Sequence, residues 1–325
     1  MFKGLISCAA ALAVIAASTA AGAQTAWPEK QVRLIIPFPP GGQQEVASRI
    51  LVEKISPELG QPIIVESRPG ADGNLGTEAV AKSAPDGYTW LGSSVPFTTQ
   101  IALHPKSLRY NPLKDFAPVV AFGTTNFMFT VPASLPVNNL KEFIDYVKAR
   151  NGEISYAGSG RGSVVHLATE KFKQSAGIDM VMVPYAGQPP AITDLLAGRV
   201  QFMALGSVFA APLIKSGKIK ALAVLDTKRN ADFPDLPTIA EAGYPDLVLK
   251  SFFGLHVPAG TPRPVIDRIN AVVNKAIQSP DIIEKFAKSN VDAAQPNTPE
   301  QFGQQVDREI KLWNDIVQAA KIETD

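Results

Sequence analysis

The chain has 325 residues, of which 31 are basic and 30 acidic, and one cysteine, Cys8. That balance, without long runs of one sign, offers no electrostatic footprint for nucleic acid or an anionic lipid surface, and a lone cysteine excludes a disulfide framework or a cysteine metal site. The length suits two domains, or one large one, with room for a sizeable core, and the expected partner is a small molecule.

In chain order, residues 1–23 carry one cation, Lys3, then an apolar run from Leu5 to Ala17 and the small-residue sequence Ala21-Gly22-Ala23. This is the order of a secretory signal peptide, with cleavage expected after Ala23. The run is too short for a permanent span, and nothing later approaches ~20 uninterrupted apolar residues, so the expectation is export without stable membrane insertion. Leu5-Ile6-Ser7-Cys8 loosely resembles a lipidation box, but most of the apolar run follows Cys8, which argues against an anchor there. If Cys8 leaves with the leader, the mature chain has no thiol.

The mature chain then alternates short apolar strands, Gly/Pro/Ser loops and amphipathic helices, the pattern of an α/β protein. Val32 to Ile36 reads as a buried strand, Pro37 to Gly42 as a turn, and Gln43 to Leu59 as a helix stopped by Gly60. Ile63 to Val65 is a second strand; Gly70 to Asn74 leads into a helix near Leu75 to Ser83, and Tyr88 to Leu91 is a third strand followed by Gly92-Ser93-Ser94. Pro96 to Pro118, rich in proline and short of periodicity, reads as connecting structure. A second α/β set begins with a strand at Phe127 to Val131. A helix capped by Asn139 with Glu142 follows, then strands at Ile154 to Tyr156, Met180 to Val183, Val200 to Ala204 and Lys220 to Leu225, separated by helices from Ser163, Pro189 and about Val208. A strand at Phe252 to Val257 and helices at Pro264 to Gln278, Asp281 to Ser289 and Pro299 to Ala320 complete the chain.

Three strand-end loops share one property: glycines expose their backbone N–H groups. They are Pro39-Pro40-Gly41-Gly42, Gly70 to Asn74, and Gly158-Ser159-Gly160-Arg161-Gly162-Ser163. The first and third lie directly before predicted helices, where free amides and the helix dipole favour an anion. Hydrogen bonds to a charged group contribute about 1.5 to 3 kcal/mol each and a micromolar complex needs about 8, so four or five suffice nominally, with some apolar contact to offset ordering. Tyr185, in Pro184-Tyr185-Ala186-Gly187, adds a ring with a polar handle at another strand end. Nucleotide patterns are missing: the third loop spaces its glycines GxGxG, and no Walker pattern occurs. Catalytic patterns are missing too, with no GxSxG, no HExxH and three histidines (His104, His166, His256) in unrelated contexts. The expectation is therefore binding without catalysis, cofactor or metal. An exported hydrolase or isomerase using the same cleft is the alternative.

Nine segments stand out in order: Trp27-Pro28, Ile36-Pro37-Phe38-Pro39-Pro40-Gly41-Gly42, Arg68-Pro69-Gly70, Pro85-Asp86-Gly87-Tyr88-Thr89, Lys114-Asp115-Phe116, Val183-Pro184-Tyr185, Asp194-Leu195-Leu196-Ala197-Gly198, Pro237-Thr238-Ile239-Ala240-Glu241-Ala242-Gly243 and Pro258-Ala259-Gly260-Thr261-Pro262. Together they resemble one family, the Bug receptors, the solute-binding components of tripartite tricarboxylate transporters. The resemblance implies a type II periplasmic-binding fold, two α/β lobes joined by two hinge strands near Thr125 and Lys250. Lobe 1 would comprise residues 24–125 plus 248–325 and lobe 2 residues 126–247. It also implies a periplasmic monomer that takes an organic carboxylate in the cleft and delivers it to the permease subunits of a tripartite transporter; a ligand sensor for a membrane histidine kinase is the other role open to such a receptor. The candidate ligand-binding set is Phe38, Gly41, Gly42, Gln43, Ser93, Ser94, Ser159, Arg161, Gly162, Ser163, Tyr185, Ala204 and Ser207. Against the family pattern, Glu45 replaces Asp, Asp72 replaces Gly, and Ala186 stands where Lys is frequent. Loss of that cation speaks against citrate, and the nearby aromatic residues favour an aromatic acid such as terephthalate over aliphatic di- or tricarboxylates. The accompanying expectation is that Ser163→Ala weakens binding and leaves the thermal midpoint of the empty protein almost unchanged.

Overall fold

The structure, a computed structural model, describes residues 27–150, 152–158, 163–185, 187–230, 232–319 and 324. The predicted leader and Ser159, Arg161, Gly162 and Ala186 lie outside the described residues.

Runs of branched apolar side chains build the first sheet. Val32–Ile36 (β1) is buried along nearly its whole length and pairs in parallel with Ile63–Ser67 (β2) on one side and Thr89–Ser93 (β3) on the other. Parallel neighbours need a crossover, supplied by the helices Gln43–Leu59 (α1) and Asn74–Ala81 (α2). α1 stops at Gly60, whose φ of 79° is open to glycine and whose N–H closes on the Ser56 carbonyl. The segment expected to be a connector, Pro96 to Pro118, is more structured than its prolines suggest. Val95–Leu103 forms a helix (α3) with Pro96 in its first turn, where its missing N–H costs nothing, and Phe116 opens a 17-residue strand, Phe116–Pro132 (β4). The buried run Thr98-Thr99-Gln100 conceals the apolar stripe in the sequence; Thr98 and Thr99 hydroxyls bond back to the carbonyls of Val95 and Pro96.

The remaining elements alternate as expected: Leu140–Lys148 (α4), Ser155–Gly158 (β5), Val164–Ala176 (α5), Val181–Pro184 (β6), Gln188–Leu196 (α6), Met203–Gly206 (β7), Ser207–Lys215 (α7), Ile219–Val224 (β8), Lys250–Pro258 (β9), Arg263–Ile277 (α8), Pro280–Lys288 (α9), the two-residue strand Asp292–Ala293 (β10), and Pro299–Ala319 (α10). Two caps read from the sequence form as drawn. Asn139 accepts from the Glu142 amide, and Thr298 and Gln301 exchange side chain to backbone bonds in both directions.

β4 joins the two halves. Residues Phe116 to Asn126 pair antiparallel with β9, which itself pairs antiparallel with β3, giving the order β10-β4-β9-β3-β1-β2. Beyond that point Phe127 to Thr130 pair antiparallel with β7, and Met128 to Pro132 with β8. β5 and β6 pair in parallel, and β5 meets the second half through a bridge from Tyr156 to Phe202. The chain returns through Leu249, whose N–H donates to Leu225, directly before Lys250 pairs with Asn126.

Each half has its own packing centre. In the first, Leu34, Ile36, Leu51 and Ile55 meet Phe122, Phe253, Ile269 and Phe286 between the sheet and α1, α8 and α9. In the second, Phe129, Phe143, Phe172 and Phe202 are fully buried, with ring centroids 4.7–4.9 Å apart in three of their pairings. Burying each ring stabilises the fold by about 1.5 to 3 kcal/mol relative to leaving it in water.

Candidate functional site

The register of β4 locates the site. β3 runs parallel to β4, so its C-terminal residue Ser93 and that of β1, Ile36, point toward the second half. β7 runs antiparallel to β4 and ends at Gly206, opposite Phe127, so it points toward the first half. The C-terminal edges of the two sheets therefore face each other across Thr125, Asn126 and Phe127. Carboxyl ends of parallel strands are where open α/β sheets hold ligands, because helix N-termini with unpaired amides collect there. Here α1, α3, α5, α6 and α7 all begin on these edges.

On the first edge Gly41 takes φ 82°, and its N–H donates to Glu45 Oε2 at 2.6 Å. The other oxygen of Glu45 accepts two bonds from Arg49, at 2.8 and 2.6 Å. Gly41 was expected to present its amide to a ligand; instead that amide is engaged by a buried carboxylate of its own helix. Glu45, one methylene longer than the Asp usual in the resembling family, reaches one turn back to it. Gln43 keeps a cleft-facing role: its Nε2 donates to Thr125 Oγ1, and its Oε1 lies 3.1 Å from where a Cβ on Gly206 would sit. Gln43 thus touches both halves. Gly42 precedes it in extended conformation at the helix cap.

Phe38 is half-buried and lies over Gly73, where any side chain would meet the ring at 3.0 Å. Together with Pro37, Asp72, Ser94, Phe97, Gln100 and Tyr110 it encloses a cavity of about 10 Å³, room for about one water. No lysine or arginine lines this cavity. Ser94 donates to Gln44 Oε1 at 3.2 Å and is buried. Ser93 faces inward: its hydroxyl sits 2.8 Å from His256 Nδ1, and the imidazole, buried against Phe97, Phe116 and Phe302, is pushed down to about 3 by desolvation. Ser93 is therefore a core partner of His256 beside the site.

On the second edge Ser163 caps α5, its Oγ accepting from the His166 amide at 3.3 Å. Tyr185 sits at the edge, but its hydroxyl donates to Asp194 Oδ2 at 2.8 Å, within the same half. Burial and that bond raise the phenol to about 12, and Tyr185 and Arg199 together lower the Asp194 carboxyl. Ser207 is buried at the start of α7, donating to the Asn126 carbonyl at 2.8 Å. Ala204 is fully buried in mid-strand opposite Phe129 and does not reach the edge; a two-residue error in the strand's end placed it there. Sequence reasoning missed Gln188, the first residue of α6, whose Oε1 accepts from Gly206 N–H at 3.2 Å, and Thr125, the partner of Gln43. A signal for Gln188 existed: Gly187-Gln188 repeats the Gly42-Gln43 order of the opposite helix start.

A larger groove of about 370 Å³, lined by Pro132, Tyr146, Arg150 and Ile154 among others, lies at the opposite strand ends of the second half, away from the facing edges. Among the described residues no three of His, Cys, Asp and Glu cluster as a metal site, and no helix is long and apolar enough to cross a membrane.

The sequence profile of the tripartite tricarboxylate transporter family receptor matches residues 47–322. The chain belongs to this family. BugT of Bordetella pertussis (strain Tohama I) is 38% identical, covering 90% of this chain and 89% of BugT. Among solved structures, Rpa4515 of R. palustris with adipate superposes with a TM-score of 0.86 at 32% identity, over 92% of this chain and 100% of that one. MatC from Rhodopseudomonas palustris with bound malate gives 0.82 at 32% identity, over 90% and 100%. The receptor accordingly has the two-lobed α/β periplasmic-binding fold, and it is a solute-binding protein rather than an enzyme.

Proposed function

We propose that this receptor captures an organic carboxylate between its facing strand edges, closes on it, and delivers it to the permease of a tripartite transporter from the periplasm, where its leader directs it. The observation that carries this reading is the register of β4, which turns five helix N-termini toward one another across Thr125 to Phe127. An anion there meets helix dipoles and amides from both sides, so it is held best when the lobes approach. The lobes are residues 24–125 plus 248–325 and 126–247, with hinges near Thr125 and Lys250, close to where both connections change sheet.

Adipate and malate in the two structural relatives support the carboxylate class. Within it, we favour an aromatic acid such as terephthalate. Phe38 presents a half-buried ring at the first edge, and no cation lines the small cavity it shares with Phe97 and Tyr110. Calorimetry of residues 24–325 against adipate, malate, citrate and terephthalate tests both levels. Micromolar binding of any of these acids supports the receptor reading and tightest binding of terephthalate the finer one; heat from none of them refutes the carboxylate reading.

A further inference from the structure

Two glutamines converge from opposite lobes on one glycine. Gln43 and Gln188 are each the first residue of a helix and each follow a glycine. Gln188 Oε1 accepts the Gly206 N–H at 3.2 Å, and Gln43 Oε1 and Gln188 Oε1 lie 3.1 and 3.4 Å from the position a Cβ on Gly206 would take. Gly206 itself is buried, at the cap of α7.

We propose that Gln188 is a placeholder: its carboxamide oxygen occupies the Gly206 amide until a ligand carboxylate displaces it, so that Gln188 sets the receptor's preference for charged over neutral ligands. This rests on the carboxylate-binding reading above. A buried amide at a helix start has no intrahelical acceptor and is costly to leave unmet, so it needs an acceptor in the empty state as well as the filled one. A carboxylate accepts roughly twice as strongly as a neutral group, and the α7 dipole adds to that advantage. An acid therefore gains by replacing the carboxamide, whereas an ester or amide of the same shape exchanges like for like. The same glycine explains the access: with no side chain at position 206, the amide stays within reach from the cleft, and the displaced carboxamide has room to turn its NH2 toward the newcomer.

The test compares the acid that binds best among adipate, malate and terephthalate with its own diamide, by calorimetry on wild type, Gln188→Glu and Gln188→Ala. In Q188E a permanent carboxylate holds Gly206, and acid binding falls by about 100-fold or more. In Q188A the competitor is gone for both ligands, but the acid also loses the charge-assisted bond from the displaced carboxamide NH2, so the diamide gains several-fold while the acid changes little, and the acid-to-diamide preference shrinks. A merely structural role would weaken both ligands together and lower the thermal midpoint, so an unchanged preference in Q188A overturns the proposal. Unchanged acid affinity in a folded Q188E does the same; should Q188E fail to fold, Q188A decides alone. If wild type binds none of the three acids, the carboxylate reading falls and takes this one with it; if wild type binds and the variants behave as wild type, only the placeholder falls.

Discussion

Replacing Gly206 with alanine probes the facing edges with one methyl group. The backbone at 206 has φ −59° and ψ 137°, which any residue adopts, so alanine adds no backbone strain. The new Cβ would lie 3.1 Å from Gln43 Oε1 and 3.4 Å from Gln188 Oε1, against an ordinary contact beginning near 3.4 Å. Gln43 must retreat by a few tenths of an ångström, which its flexible side chain absorbs at a cost below about 1 kcal/mol. The empty protein should therefore keep its thermal midpoint. With ligand present, the methyl blocks the approach of a carboxylate to the Gly206 amide, and losing one charge-assisted bond costs about 1.5 to 3 kcal/mol. That corresponds to about 10- to 100-fold weaker binding. Calorimetry with the preferred acid, beside a melt of the empty variant, reads both quantities. Wild-type affinity in Gly206→Ala would show that ligand does not use this edge, and the convergence argument would fail.

Other outcomes follow from the same geometry. Ser163→Ala should weaken ligand binding and, because Ser163 caps α5, also destabilise the empty protein by about 1 kcal/mol, measurable by urea unfolding; the earlier expectation of an unchanged midpoint overlooked that cap. Thr125→Val should remove the acceptor that holds Gln43 Nε2, free it for the ligand, and tighten binding by a few fold, about one neutral hydrogen bond; weaker binding would refute this role. Glu309→Gln should leave stability at pH 5 nearly unchanged and raise it by about 2 kcal/mol at pH 8, because burial raises this carboxyl to about 7. His256→Gln should gain about 2 kcal/mol relative to wild type as pH falls from 6.5 to 5, since only the wild type carries a ring held down near 3.

The alternation of strands and helices was legible because period and punctuation agree: β1, α1 with its Gly60 stop, and the Asn139 and Thr298 caps all fall where the sequence placed them. α3 was not, because Thr98, Thr99 and Gln100 are buried polar residues satisfied inside the helix or by neighbours, which breaks the apolar stripe. The length of β4 was also hidden, since a strand shared by two sheets reads locally as two separate segments. At the site, glycine loops were visible as open backbone, but the sequence does not say which acceptor a given amide already has. Gly41 looked available and is engaged by Glu45; Tyr185 looked like a free handle and is tied to Asp194. Gln188 and Thr125 were missed because their part depends on contacts across 18 and 82 residues.

Two titrating groups packed against α3, the half-buried Glu309 and the buried His256, have opposite effects on stability. Glu309 sits between α3 and α10, accepting from Gln305 at 3.0 Å and from Thr98 at 3.4 Å; its pKa is raised on folding, so its contribution is full below the ordinary value of 4.5 and is lost as pH rises through about 7. His256 lies beneath α3, against Phe97 and Phe302 of α10; its pKa is lowered on folding, so its contribution is full above 6.5 and is lost as pH falls toward about 3. Between pH 4.5 and 6.5 the folded chain thus holds a proton at Glu309 that the unfolded chain gives up, and refuses one at His256 that the unfolded chain takes. The slopes, each up to about 1.4 kcal/mol per pH unit, have opposite signs over that window and largely offset. The summed contribution of these two groups should therefore be nearly flat there, while E309Q leaves the His256 contribution, which is lost toward acid, and H256Q leaves the Glu309 contribution, which is lost as pH rises.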